Sequence, residues 1–158
     1  MDATNGGASD TQLEILNRSL AADSVAFEDA RDSAMAAVEC MNNAGLEATY
    51  QEDHQDSGLV VPGYTAHVGL EDDGTNETIM ATCDNQEAFW VNLLFQTQPS
   101  SVAYEDARIE ELAPAFRECF DHYGVATDAD ATGQELQRLA IDEYADSDGA
   151  VDCLKVAE

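Results

Sequence analysis

The sequence predicts an α+β fold, dominated by helices and completed by a small antiparallel sheet, in two related disulfide-stapled units. Three observations predict this fold. An octapeptide occurs twice, as SVAFEDAR at 24–31 and as SVAYEDAR at 101–108. Each copy is followed by a cysteine and, five residues later, a glycine, in Cys40–Gly45 and Cys119–Gly124. Between the two copies, alternating apolar and polar residues indicate a pair of strands.

The repeat divides the chain into three parts. Residues 1–23 are expected to form a flexible lead-in and a short helix, because apolar residues from Leu13 to Leu20 recur at helical spacing. Residues 24–99 form the first unit, which consists of a helix, a strand pair and a helix. Residues 100–158 form the second unit, which consists of a kinked helix, a turn, a helix and a C-terminal segment.

Each octapeptide lies in a predicted helix with an apolar stripe. The stripe residues are Ala30, Ala34, Ala37, Val38 and Met41 in the first unit and Ile109, Leu112, Ala113, Phe116, Cys119, Phe120 and Tyr123 in the second. Gly45 and Gly124 are expected to end these helices, because glycine adopts the left-handed conformation without a steric clash. The second helix has two more residues between its arginine and its cysteine, and Pro114 predicts a kink or break near 112–114.

The remaining elements follow from shorter patterns. In the first unit, strands are predicted at 46–51 and at 59–70, the second interrupted by Pro62 and Gly63, followed by a turn at 71–74. One helix is expected from about Glu77 to Phe95, with Cys83 on it. In the second unit we predict a polar turn at 128–133, a helix at 135–144 and a segment at 151–156 that carries Cys153.

The charge of the chain restricts its partners. There are 33 acidic and six basic residues, which give a formal charge of −27. Because affinity for phosphate groups comes from lysine and arginine, we expect no nucleic acid partner. No run approaches the roughly 18 apolar residues of a membrane helix, so we expect no direct insertion into a membrane. The charge attracts cations, cationic peptides or a basic protein patch, unless it serves only as a solvated surface for high salt or export.

Four cysteines, Cys40, Cys83, Cys119 and Cys153, stand far apart with no Cys-x2-Cys pair. An even number in this arrangement favours two disulfides, and the repeat favours the pairs Cys40–Cys83 and Cys119–Cys153. Two alternatives remain open. The protein could hold four buried thiols in a reducing compartment, or Cys119 and His122, one helical turn apart, could supply half of a zinc site.

The first unit resembles a known group of proteins. A helix that ends in Cys40–Gly45, a strand pair at 46–70 and a helix with Cys83 followed by Phe89-Trp90 are similar to small secreted proteins and lipoprotein ectodomains of actinobacteria. The resemblance covers residues 24–124, and the second unit departs from it because it lacks a hairpin. It implies export, disulfides and an extracellular or envelope-attached location, without an assigned activity. The start, MDATNGGASD, lacks the features of a signal peptide, so we expect the signal to be absent from this chain.

Two acidic stretches suggest a weak calcium site but no other cofactor. Asp128, Asp130 and Thr132 match the first half of a calcium loop, but Leu139 stands where the loop needs a glutamate. Asp146 and Asp148 precede a glycine in a shorter stretch of the same kind. Turn formation explains both stretches equally well, because aspartate and glycine favour tight turns.

No catalytic motif is present, so we expect a binding protein rather than an enzyme. The predicted function is an exported, acidic, disulfide-stabilised binding module for an unknown protein, peptide or small cationic ligand. Phe89, Trp90 and Tyr104 are the predicted binding residues, as a shallow apolar patch. Two alternatives are a small extracellular enzyme without a recognisable motif and a weak divalent-cation-binding protein.

Overall fold

The computed structural model describes Ala3 and residues 6–69 and 74–157. The helices and strands of these residues are α1 (Asp10–Ala22), α2 (Phe27–Asn43), β1 (Ala48–His54), β2 (Val60–Ala66), α3 (Thr75–Glu87), α4 (Phe89–Thr97), α5 (Pro99–Tyr123) and α6 (Gly133–Asp146), with a short 3-10 helix at Leu154–Ala157. The predicted α+β class is therefore confirmed. The predicted turn at 71–74 lies largely outside the described residues. The second predicted strand is too long, because β2 ends at Ala66 and residues 67–69 lie outside it.

The chain forms two compact units, one up to Ser101 and one from Val102. Each contains one disulfide, Cys40–Cys83 in the first and Cys119–Cys153 in the second, with Cα atoms 5.7 and 5.8 Å apart. These are the pairs that the repeat predicts. All four sulfur atoms are bonded in this way, so Cys119 does not offer a thiolate for the alternative zinc site.

Helix α2 is the centre of the first unit. Its buried stripe consists mainly of small side chains, Ala30, Ala34 and Ala37, and continues to the larger Met41 near the end of the helix. All four side chains are almost fully buried. Small side chains let α2 lie close to the hairpin, to α3 and to α4, all of which it contacts. Gly45 follows with a φ of 91°, so the predicted glycine stop is confirmed.

The two strands form an antiparallel hairpin whose register pairs Ala48 with Ala66 and His54 with Val60. Pro62 and Gly63 lie inside β2, so the predicted interruption does not occur. Pro62 is opposite Glu52, at a position whose backbone faces away from the partner strand, and the N–H that proline lacks is not needed there. The hairpin is therefore continuous in spite of the proline.

The predicted helix from about Glu77 to Phe95 is instead two helices, α3 and α4, which meet at Ala88. The side chain of Gln12, which is fully buried, bridges this break. Its Nε2 donates to the carbonyl oxygens of Asn85 (3.0 Å) and Gln86 (2.6 Å) at the end of α3. Its Oε1 accepts from the N–H groups of Trp90 (2.8 Å) and Val91 (3.2 Å) at the start of α4. One amide thus satisfies both helix ends.

The two octapeptides differ in conformation. In the second copy all eight residues belong to α5, which Pro99 begins, whereas in the first copy α2 starts only at Phe27. The buried Gln98 side chain accepts from the N–H of Val25 (2.8 Å) and donates to its C=O (3.2 Å), which holds this residue outside the helix. The two copies therefore share a helical conformation only from their fourth residue onward, at 27–31 and 104–108.

The second unit is built on α5 and α6. Helix α5 continues through Pro114, so no break occurs there, and the kink remains a prediction. The core consists of Ala113, Phe116, Phe120, Leu136, Ala140 and Cys153. Gly133 allows α6 to begin against the backbone of α5, because a Cβ atom there would overlap the carbonyl group of Ile109. Gly124 has a φ of 71° and ends α5 as predicted.

Candidate functional site

An open groove runs along the outer face of α2 in the first unit. Its volume is about 570 Å³, and its lining consists of Asp32, Met35, Ala36, Val38, Glu39, Asn42, Asn43 and Tyr50. All of these except Tyr50 lie on α2, at intervals that place them beside or opposite the buried alanine stripe. Because the buried stripe consists mainly of alanines and Met41, Met35 and the charged side chains of this helix remain at the surface.

The groove has an apolar floor between acidic side chains. Met35 is 51% exposed, and its flexible thioether adapts to different contact surfaces. Asp32 and Glu39 lie about one helical turn to either side of it, and both are exposed. Arg31 contacts Asp32 at 3.2 Å in an exposed ion pair. The resulting surface suits a ligand that is apolar in one part and cationic in another.

Tyr50 contributes the wall that β1 forms. Its hydroxyl group donates to Oε1 of Glu52 at 3.0 Å. Burial, this hydrogen bond and the charge of Glu52 raise the pKa of the Tyr50 phenol, while the charge of Arg31 opposes the shift. The phenol therefore stays protonated and neutral at physiological pH, and its ring is available for contact with an apolar or cationic group.

Asn42, the penultimate residue of α2, lines the groove near the C-terminal end of this helix. Its Oδ1 accepts from the N–H of Ala48 at 3.1 Å, and its Nδ2 donates to the C=O of Ala48 at 3.0 Å. These two bonds fix β1 to the helix, so the groove has a defined width at this end. The glycine stop at Gly45 makes the tight connection between the two elements possible.

Two of the three residues of the predicted aromatic patch, Phe89 and Trp90, are in contact with each other. Phe89 and Trp90 pack edge to face at 5.1 Å, and both are partly buried. Gly6 lies so close to the Trp90 ring that a Cβ atom at this position would overlap it. Tyr104 is 49% exposed and belongs to the second unit. Its role together with Phe89 and Trp90 remains a prediction.

In the predicted calcium loop, a guanidinium group contacts the backbone. Arg117 donates from Nη1 to the C=O of Asp128 (2.8 Å) and from Nη2 to the C=O of Ala131 (2.5 Å). The Asp128 carboxylate accepts from the N–H of Asp130 at 3.0 Å, as in a tight turn. Thr132 and Glu135 form a capping box at the start of α6, and the calcium site remains a prediction.

The other two predicted metal residues lie at the end of α6. Asp146 is its last residue, and Asp148 follows in a turn with a φ of 53°. Across residues 6–69 and 74–157, no group of three or more histidine, cysteine, aspartate or glutamate side chains is placed to hold a metal ion.

Comparison with known proteins adds no relative to these observations: no family model, no curated protein and no solved structure matches the chain. Among the helices of the described residues, none is long and apolar enough to cross a lipid bilayer. The candidate site therefore rests on the geometry of the groove alone.

Sequence reasoning did not find the groove. The usable signal was Met35 between Asp32 and Glu39, a large apolar side chain on the face of α2 opposite the alanine stripe. An isolated exposed methionine is common at protein surfaces, so this signal has little weight by itself. It acquires meaning once the hairpin places Tyr50 beside it.

Proposed function

We propose that the protein is an exported, disulfide-stabilised binding module and that the groove on α2 binds a basic peptide or a basic segment of a protein. Two disulfides suit an oxidising location outside the cell, as the resemblance to secreted actinobacterial proteins also implies. A partner that carries lysine or arginine is attracted by the net charge of −27 before it reaches the groove.

The observation that carries this proposal is the exposed Met35 between two carboxylates. Lysine and arginine side chains combine an apolar stem with a charged end, so the stem fits the floor of the groove while the end reaches Asp32 or Glu39. A second copy of this chain is a poor occupant, because its charge is the same. A basic segment matches both the apolar and the acidic part of the surface.

Charge reversal within the groove tests the proposal. The probe is a fluorescently labelled short peptide of alternating lysine and threonine, and the measurement is fluorescence anisotropy. Glu39→Lys should weaken binding about fivefold or more, because a favourable ion pair becomes a repulsive one. Glu14→Lys is the matched control, since Glu14 is also exposed within a helix and undergoes the same change of charge, but lies outside the groove.

A second variant tests the apolar floor. Met35→Ser removes exposed apolar surface without a change in charge and should weaken binding roughly threefold to tenfold.

If Glu39→Lys and Glu14→Lys weaken binding equally, the peptide responds to the overall charge and the groove is not its site.

A further inference from the structure

The backbone of β1 alternates in the direction of its hydrogen bonds. Just outside the two ends of the hairpin, His67 N–H donates to Glu47 C=O and Gln55 N–H donates to Leu59 C=O, both at 2.9 Å. In the observed register, odd-numbered residues of β1 therefore face β2. The residues whose N–H and C=O groups face away from β2 are Ala48, Tyr50, Glu52 and His54.

The first of these outward positions is already occupied. The Asn42 amide accepts from the N–H of Ala48 and donates to its C=O, which is the pair of bonds that a neighbouring antiparallel strand would make. The side chain thus acts as a one-residue substitute for a third strand. Because the Asn42 amide occupies the backbone groups of Ala48, a strand added to this edge of β1 cannot pair with Ala48.

The next two outward positions carry no such bond. Within the part of the chain that the structure describes, no hydrogen bond involves the N–H or C=O group of Tyr50 or Glu52. Tyr50 lines the groove, and Glu52 is exposed beside it. Two consecutive outward residues thus leave four backbone groups available at the border of the groove, and unpaired edges of this kind accept added strands.

We propose that the groove ligand binds as a third β-strand on the outer edge of β1, paired with Tyr50 and Glu52; this rests on the proposed function above. In an added strand, the side chain opposite Tyr50 projects to the same face of the sheet as the Tyr50 side chain. That face borders the groove, where Met35 and Glu39 meet the incoming side chain. Alternate side chains of the segment then enter the groove.

Charge selects the occupant of this edge. Glu52 and Asp53 are both exposed on β1, and acidic side chains on an edge strand oppose pairing with another copy of the same strand. The same carboxylates attract lysine and arginine. The structure therefore favours an extended basic segment of another protein.

Backbone methylation of the probe peptide tests strand addition. A strand presents the N–H groups of alternate residues to its neighbour, so methylation of one alternate set should remove contacts with β1, and methylation of the other set should not. We expect one set to bind about tenfold more weakly for each pair of bonds lost and the other to stay within about twofold of the unmodified peptide.

A protein variant gives an independent measurement. Glu52→Pro removes an outward N–H that the hairpin does not use, and proline is tolerated on edge strands. Glu52→Gln is the control, because it removes the same charge and keeps the N–H. The proline variant should bind the probe peptide roughly fivefold more weakly than the glutamine variant. Circular dichroism should show that the hairpin is intact in both variants. If proline disrupts the hairpin, binding of the methylated peptides is the measurement that tests strand addition.

The two proposals fail in different ways. Equal weakening by both methylated peptide sets overturns strand addition, even if Glu39→Lys weakens binding and the groove remains the site. Equal effects of Glu39→Lys and Glu14→Lys overturn the groove itself. If only one methylated set binds more weakly and Glu39→Lys weakens binding more than Glu14→Lys does, both proposals are supported.

Discussion

Single buried side chains decide where helices of the first unit begin and end. Gln12 and Gln98 are both buried, and each bonds to backbone groups more than seventy positions away in sequence. A buried amide is stabilising only when its donors and acceptors are satisfied, which both residues achieve through backbone partners. The break at Ala88 and the late start of α2 therefore depend on contacts that no local pattern contains.

Replacement of Gln12 should destabilise the protein strongly. Gln12→Ala leaves the carbonyl groups of Asn85 and Gln86 and the N–H groups of Trp90 and Val91 without their present partner. We expect a loss of about 2–4 kcal/mol in the free energy of unfolding, measured by urea titration with the disulfides intact. Gln96→Ala is the control, since Gln96 is exposed on α4; a similar loss in both variants would contradict this role of Gln12.

The N-terminus of α6 should show a specific response to acid. Hydrogen bonds from the backbone N–H and the hydroxyl group of Thr132 lower the pKa of Glu135 below its ordinary value of 4.5. A carboxyl group whose pKa is lowered by folding stabilises the protein above the unfolded pKa and loses this effect as the pH falls through the folded pKa. Wild type should therefore exceed Glu135→Gln in stability near neutral pH and converge with it in acid.

Thermal unfolding of the two proteins across this pH range measures the Glu135 effect. Glu111→Gln, an exposed position on α5, controls for the loss of one negative charge from a strongly acidic protein. A stability difference between wild type and Glu135→Gln that does not change with pH would show that the capping carboxylate is not responsible.

At the scale of elements, nearly identical sequence does not produce identical structure. Val25 is almost fully buried ahead of α2, whereas Val102, its counterpart in the second octapeptide, is 42% exposed within α5. Phe27 packs edge to face with Phe95 at 6.2 Å, whereas Tyr104 is exposed. Two features account for the difference: Pro99 starts α5 ahead of the second copy, and bonds from Gln98 hold Val25 outside α2.

The two valines offer a matched pair of substitutions. Val25→Ala removes buried methyl groups and should cost roughly 1–3 kcal/mol of unfolding free energy. Val102→Ala, the same change in the same octapeptide, should stay within about 0.5 kcal/mol of wild type, because the side chain is exposed. Urea titration of both variants measures the difference; equal losses would mean that the two copies have equivalent environments.

The elements that sequence predicts well have local causes. The glycines after α2 and α5 have positive φ, and the alternation of residues 46–51 corresponds to β1 with a shift of two residues at its start. The helix predicted at 135–144 corresponds to α6, which extends it by two residues at each end. The groove is different in kind, because its wall and floor come from two elements that only the folded hairpin brings together. The set of residues that line the groove could not be predicted from any single segment of the sequence.

At the scale of the whole molecule, electrostatic repulsion opposes the folded state. A chain with 33 acidic and six basic residues gathers like charges when it folds, and the few ion pairs offset little of this. In the described residues these pairs are largely exposed, such as Arg31 with Asp32 and Lys155 with Asp152. The stability of the protein should therefore depend on the ions around it.

Added salt should raise the melting temperature. Sodium chloride shortens the range of charge repulsion, and magnesium and calcium should act alike at lower concentrations. Each kcal/mol gained raises the melting temperature by roughly 2–4 °C for a chain of this size. Scanning calorimetry in the three salts measures the effect. A shift specific to micromolar calcium would instead indicate a binding site, with Asp128 and Asp130 as the first residues to replace.

The order of the disulfides has a consequence for biosynthesis. Each bond joins cysteines that are consecutive along the chain, Cys40 to Cys83 and Cys119 to Cys153. A chain that emerges N-terminus first exposes the first two thiols to each other before the third appears. An oxidase that joins cysteines in their order of arrival would thus make the native bonds directly. This protein should mature without a disulfide isomerase, and under the proposed export, cells that lack that enzyme should release it with an unchanged yield.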